Sequence, residues 1–213
     1  WAIAENKDLT FTPKIYASEN ALFLNEYRQA FSNGFLTLDT SYNQGYNKTS
    51  SIKTKGSRNH IFANLDFNFE KDDSFKSNFL LKVQHTSNDT YFRAHDINTS
   101  LVDAEDTNLE NEIKYSFSKP DTYLDISASL FEDLRVKKNS DKHEYILPNI
   151  MYGKTFFNQG FGSLDFKSNA FYNNYDTNKH ETFLINDIIW TPFSNITKNG
   201  FVNTFESMIR NTN

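Results

Sequence analysis

From Ile61 to Glu70 apolar residues fall on alternate positions: Ile61, Ala63, Leu65, Phe67 and Phe69 occupy one side of an extended chain, and Asn64, Asp66, Asn68 and Glu70 the other, with Phe62 the one apolar residue out of place. A period of two excludes a helical face and specifies a strand with one apolar and one polar surface. The same division recurs in Ile113, Tyr115 and Phe117 against Glu112, Lys114 and Ser116. It returns in Leu124, Ile126, Ala128 and Leu130 against Asp125, Ser127 and Ser129, and in Leu164, Phe166, Ala170 and Tyr172 against Asp165, Lys167 and Asn169. Leu22–Phe31 and Phe183–Trp190 carry apolar residues on both sides, so pattern leaves their orientation open.

Alternation suits a soluble β-sandwich as well as a barrel, so strand length and connections must discriminate. Ordinary strands run to roughly 5–6 residues, whereas a tilted strand crossing a bilayer needs about 9–11, and several runs here reach that span. Four short turns are bracketed by aromatics: Phe31/Phe35, Phe69/Phe75, Phe117/Tyr123 and Phe157/Phe161. Rings at one end of successive hairpins would form the belt found where hydrocarbon meets headgroups. These turns alternate with longer polar stretches at Asn43–Asn59, Ser87–Asn108, Lys137–Lys142 and Asp176–His180. Tight turns on one side and long loops on the other are the habit of outer-membrane barrels. The expected fold is therefore all-β, an antiparallel transmembrane β-barrel, with a soluble β-protein as the alternative.

The hydrophobic fraction of 38% and mean hydropathy of -0.66 accompany no apolar run of the ~20 residues that a membrane helix requires. A net charge of -5 with interspersed signs offers no basic stripe for nucleic acid. The chain has no cysteine, which is uninformative in a compartment where disulfides are optional. The sequence opens on Trp1 without the charged and apolar regions of a signal peptide, and the pattern of a strand is expected to continue to Asn213. With about eleven strands counted where bacterial barrels use an even number, residues 1–213 are expected to be one partial barrel domain. Its upstream periplasmic domain and C-terminal strands would lie elsewhere.

Several local sequences carry a resemblance. Trp1–Tyr16 resembles the first barrel strand of the LptD family, the lipopolysaccharide-assembly proteins of Gram-negative outer membranes, and Leu22–Arg28 resembles the second. His85–Asp96 is similar to a Ser-Asp-x-x-Tyr-Phe loop of that family, Ile146–Ile150 to a Leu-Pro-x-(Ile/Leu) strand, and Trp190-Thr-Pro followed by Gly200 to a later segment. The matches follow family order and cover the whole chain. The resemblance implies the N-terminal half of the barrel of an outer-membrane translocon that delivers lipopolysaccharide to outer-membrane lipid. It also implies an LptE-type lipoprotein plug, an LptA-type periplasmic bridge, and no chemistry or cofactor of its own.

In that family the first strand forms a seam that opens sideways. Pro13, with neighbours Phe11 and Ile15, lies in the matching segment, and proline withholds a backbone donor. Glu26, Arg28, Asp66, Asn68, Lys82, Gln84, Lys114, Asp165 and Lys167 are expected to line a wet lumen past which a phosphorylated, hydroxyl-rich headgroup could slide. A general porin is the alternative, with Ser87–Asn108 as its constriction loop. An outer-membrane phospholipase would need a Ser–His pair, for which only Ser87 and His85 offer themselves. The five histidines read as solvated loop or strand-end residues without metal-ligand spacing. Asp89, Asp96, Asp103, Glu105 and Asp106 gather carboxylates without the glycine-punctuated spacing of a Ca²⁺ loop.

Overall fold

The computed structural model of the chain describes residues 1–17, 19–49, 52–70, 74–136, 139–175 and 179–213. Its strands are β1 (Ala2–Ala4), β2 (Lys7–Lys14), β3 (Leu22–Phe31), β4 (Gly34–Thr49), β5 (Ile52–Glu70), β6 (Lys76–Thr86) and β7 (Asn108–Lys119). They continue with β8 (Thr122–Asp133), β9 (His143–Asn158), β10 (Gly162–Tyr175), β11 (Lys179–Thr191), β12 (Asn195–Ile196), β13 (Val202–Asn203) and β14 (Ser207–Thr212). Two one-turn helices, α1 (Tyr91–His95) and α2 (Asn139–Lys142), interrupt the connections. Twelve strands form a single antiparallel sheet in the order β1 to β11 followed by β14, so chain neighbours are also space neighbours. β12 and β13 form a separate two-stranded sheet.

Cross-strand partners stand side by side on one face, so the register carries each face through the sheet. One row runs Asp8, Arg28, Thr37, Asn64, Lys82, Glu112, Ser129. One residue away, on the opposite face, runs Leu36, Leu65, Leu81, Ile113, Ala128. The apolar face continues through Ile126, Ile150, Ala170 and Leu184. It is open: Phe11, Phe23, Tyr42, Ile61, Ile113 and Ile126 are each 40–49% exposed. A sandwich would cover this face, and among the described residues none does.

Pro148 lies inside central strand β9, where its missing N–H would break a ladder. The sheet accommodates it with irregular register on both sides, between Ser127 and Ser129 of β8 and between Phe171 and Asn173 of β10.

Several expectations need correction. Trp1–Tyr16 is not one strand; β1 folds back on β2 through Glu5–Asn6, with Leu9 and Trp1 exchanging backbone hydrogen bonds. Asn43–Asn59 is no loop: β4 and β5 extend their ladder from Gln44–Ser57 out to Thr49–Ile52, which satisfies backbone groups that a loop would leave to water. The aromatic brackets do not place both rings in one belt. Phe31 and Phe117 lie on the apolar face, while Phe35 and Tyr123 pair into the polar one. The turn expected between Phe69 and Phe75 and the loops from Lys137 and Asp176 include residues 71–73, 137–138 and 176–178, which lie outside the described residues.

The best-buried cluster sits on the polar face. The β6–β7 connection, residues 87–107, folds back over it and packs Tyr91, Phe92, Ile97 and Val102 against Leu22, Leu24 and Phe62. This settles the orientation of Leu22–Phe31 and accounts for Phe62, which the segment covers; Phe35, Leu80 and Phe171 share the polar face but lie outside this cluster.

Candidate functional site

The polar face has the chemistry of a hydrated wall. Arg28 lies 3.1 Å from Asp8 and 3.5 Å from Glu26. Lys82 meets Glu110 at 2.5 Å. The Asn78 amide donates to Asp66 at 2.7 Å and to Asn68 at 2.9 Å, and the Thr155 hydroxyl donates to Asp165 at 2.6 Å. Arg210 grips Asp187 with two bonds of 2.7 and 2.8 Å, and Asp187 stands opposite Lys167. The Gln84 side chain accepts the Glu110 N–H at 2.7 Å. Lys114 stands between Leu80 and Ser127. All nine polar residues singled out from sequence thus share one face. Paired charges at a half-exposed surface are worth little individually; their joint effect is a surface that wets without a single strong binding point.

At one end of this wall the β6–β7 segment is fastened through a buried polar relay. Asp39 Oδ1 meets His60 Nε2 at 2.9 Å, His60 Nδ1 meets Ser41 Oγ at 2.6 Å, and Ser41 Oγ meets the Tyr91 hydroxyl at 2.8 Å. The first three residues come from β4 and β5, and Tyr91 from α1. His60 is 0% exposed, so the expectation of a solvated histidine fails there; it fails also at His95, which is buried. An aspartate, histidine and serine in sequence have the composition of hydrolase machinery. Here, however, Ser41 Oγ is enclosed and already holds two hydrogen bonds, which makes it an anchor for the segment.

Further ties run to the first long strands. Lys14 Nζ donates to the carbonyls of His95 at 3.2 Å and Asp96 at 2.7 Å, Tyr16 OH lies 3.3 Å from His95 Nδ1, and the Ser100 hydroxyl donates to Glu26 at 2.7 Å. Asp96 closes α1 in the left-handed region at φ 48°, a conformation its short polar side chain tolerates. Burial holds the His95 imidazole below its ordinary range, with Glu19 opposing and Arg58 and Lys14 adding to the effect. Burial also raises the Tyr91 hydroxyl, against the hydrogen bond from Ser41.

The acidic residues of this segment are spread over separate partners: Asp89 pairs with Lys142 at 2.8 Å, Glu105 with Arg93 at 3.5 Å, and Asp106 accepts the Asp103 N–H. Among the described residues no three carboxylates or histidines converge as a metal site. Ser87 Oγ accepts the Asn59 N–H at 2.8 Å instead of addressing His85.

At the sheet's first edge, Asn6 accepts the Ala30 N–H toward β3, whereas Leu9 bonds outward to Trp1. Backbone groups alternate direction along a strand, so those of Phe11 and Pro13 also point outward. Pro13 stands opposite Phe23 in a pair that exchanges no hydrogen bonds, and the donor it lacks belongs to the outer edge and not to the β2–β3 ladder. Phe11 stacks on Phe23 at 5.9 Å on the apolar face. Ile15 lies just beyond the end of β2 and is exposed.

The relay escaped the sequence reading because its members, from Asp39 to Tyr91, are spread over more than fifty positions. One signal was present: Leu22, Leu24 and Phe62 break the polar face near one end of the sheet, where a cluster of apolar residues invites a cover. Among known proteins, no family model matches the chain and no curated sequence matches it.

Proposed function

We propose that this chain forms part of the wall of an outer-membrane β-barrel that carries lipopolysaccharide outward, its sugar along the polar face and its lipid through a seam beside β2. The observation that carries the reading is the pair of uninterrupted cross-strand rows, apolar and open on one face, polar on the other. Hydrocarbon is the medium that stabilises such an apolar face, and long antiparallel ladders such as β4–β5 and β10–β11 satisfy their backbone groups within the sheet, as a bilayer demands.

The dimensions agree with that medium. Two aromatic levels bound the apolar face, with Phe31, Phe117, Phe156 and Trp190 toward the short turns and Tyr42, Tyr145 and Tyr172 toward the opposite end. From Tyr145 to Phe156 along β9 is about 36 Å of strand, or about 25 Å at a tilt near 45°, which is the height of the apolar band in such barrels. A Pro13 without a donor, on the outer edge of β2, weakens any strand pairing there by about 0.5–1.5 kcal/mol. That biases where a wall parts without opening it. The resemblance to the LptD family adds the cargo, an LptE-type plug and an LptA-type bridge to this proposal.

The test is photo-crosslinking in living cells from positions 114 and 11 of the intact protein. Lipopolysaccharide adducts at both positions support the proposal. A general uptake barrel is the second reading, favoured by the β6–β7 segment lying on the polar face as a constriction loop would. It replaces the first if neither position captures lipopolysaccharide and depletion of the protein lowers solute uptake alone.

A further inference from the structure

The connection from β11 to β14 bears the two-stranded β12–β13 ribbon. Its turn is well closed. Thr197 donates its N–H to the Phe201 carbonyl at 2.9 Å, Gly200 donates to the Thr197 carbonyl at 2.9 Å, and Phe201 donates to the Thr197 hydroxyl at 3.1 Å. Gly200 supplies the positive φ of +83° that the turn requires. This ordered ribbon turns its apolar residues outward: Phe193, Ile196, Phe201, Val202 and Phe205 are 51–69% exposed. Burying one such side chain is worth about 1.5–3 kcal/mol, so a cluster of five facing water is a strong reason to seek a cover.

The ribbon is joined to the short-turn end of the sheet, through Trp190 on the apolar face and Phe157 on the polar one. Phe205 meets Trp190 edge-on at 6.0 Å, and Phe193 meets Phe157 edge-on at 5.8 Å. Trp190 in turn donates its indole N–H to the Phe161 carbonyl at 2.9 Å, an apolar ring with a satisfied polar tip. Both faces of the ribbon are apolar in part. Ile196 pairs with Val202 on one face, and by alternation the adjacent Phe201 turns to the other, alongside the Asn195–Asn203 pair. A folded protein partner covers one face of a ribbon, whereas fluid lipid wraps both. Asn195, Asn203 and a single cation, Lys198, need water or headgroups, which excludes the hydrocarbon centre.

We infer that the β12–β13 ribbon lies in the headgroup–acyl boundary of the bilayer beside the short-turn rim, with lipid as its occupant. The inference rests on the membrane-wall reading. It extends that reading from the wall to a connection that leaves the sheet.

These 213 residues contain no cysteine, so one introduced at a chosen position is unique once any cysteine elsewhere in the intact protein is replaced by alanine. The intact protein, carrying a polarity-sensitive fluorophore at Phe201→Cys, is reconstituted into phosphatidylethanolamine–phosphatidylglycerol vesicles doped with nitroxide lipid labelled near the headgroup. Ile126→Cys on the apolar face and Lys114→Cys on the polar face serve as references, and Ile196→Cys replaces Phe201→Cys if that variant fails to fold. The expected result is an about twofold loss of emission at 201, as for a group seated ~5–10 Å into the boundary, with little loss at 114. Quenching at 126 with none at 201 or 196 overturns the ribbon inference and leaves the membrane wall intact. Loss of quenching at 126 as well removes both.

Discussion

Ile113 occupies the middle of β7 on the apolar face, between Leu81 and Ala128, and is 49% exposed. On a protein that keeps this face in water, replacing it with arginine alters stability by no more than about 0.5 kcal/mol, as surface substitutions do. In a barrel wall the same position lies near the bilayer midplane, where a cation costs about 2–4 kcal/mol. That corresponds to a roughly 30- to 700-fold change in the folding equilibrium. Lys114→Gln, one residue along, changes only a charge on the polar face and serves as the control. Urea titration of the intact protein in lipid vesicles, read by the mobility shift between folded and unfolded bands, measures both. The membrane-wall argument fails if Ile113→Arg falls within about 0.5 kcal/mol of wild type.

Four further outcomes follow from the anchors and the edge. Tyr91→Phe removes the hydroxyl bonded to Ser41 and should release the β6–β7 segment by about 1 kcal/mol, seen as faster hydrogen exchange across Tyr91–His95 with unchanged exchange in β7. His95 is held below its ordinary pKa of 6.5 by burial, and its Nε2 has no acceptor among the described residues. The unfolded segment therefore binds a proton more readily, so docking is fully stable above pH 6.5 and weakens as pH falls through the lowered folded value; exchange rates compared at pH 7.5 and 5 would show it, and His95→Gln would flatten the difference. At Gly153, paired with Tyr123, an added methyl falls on the tyrosine ring. Gly153→Ala should cost about 1–3 kcal/mol, and a Tyr123→Ala second change should recover most of it in the same urea assay. Pro13→Ala restores an outward donor on β2 and should slow lipopolysaccharide delivery in a surface-labelling assay, while the β2–β3 ladder keeps its exchange protection.

The strands were legible because a two-residue period is local. Ile61–Glu70 states in ten consecutive residues which side each will take, and short turns such as Ser32–Asn33 and Pro120–Asp121 make chain neighbours into sheet neighbours. Asn43–Asn59 resembles a loop in its polarity alone, although the Tyr and Thr among those residues suit a strand. The relay was illegible for a different reason. His60 is an ordinary polar-face residue until a segment thirty positions later lies across it, and nothing within a window of ten residues distinguishes it from His85.

Sequence by itself therefore determined the two-faced antiparallel sheet and the alignment of nine polar residues along one side, since both follow from alternation and tight turns. Tertiary structure alone decided that the β6–β7 segment covers Leu22, Leu24 and Phe62, that Asp39, His60, Ser41 and Tyr91 become one buried relay, and that the donor missing from Pro13 faces the outer edge. Those outcomes depend on contacts between distant segments and on the direction of backbone hydrogen bonds, quantities that local periodicity does not encode.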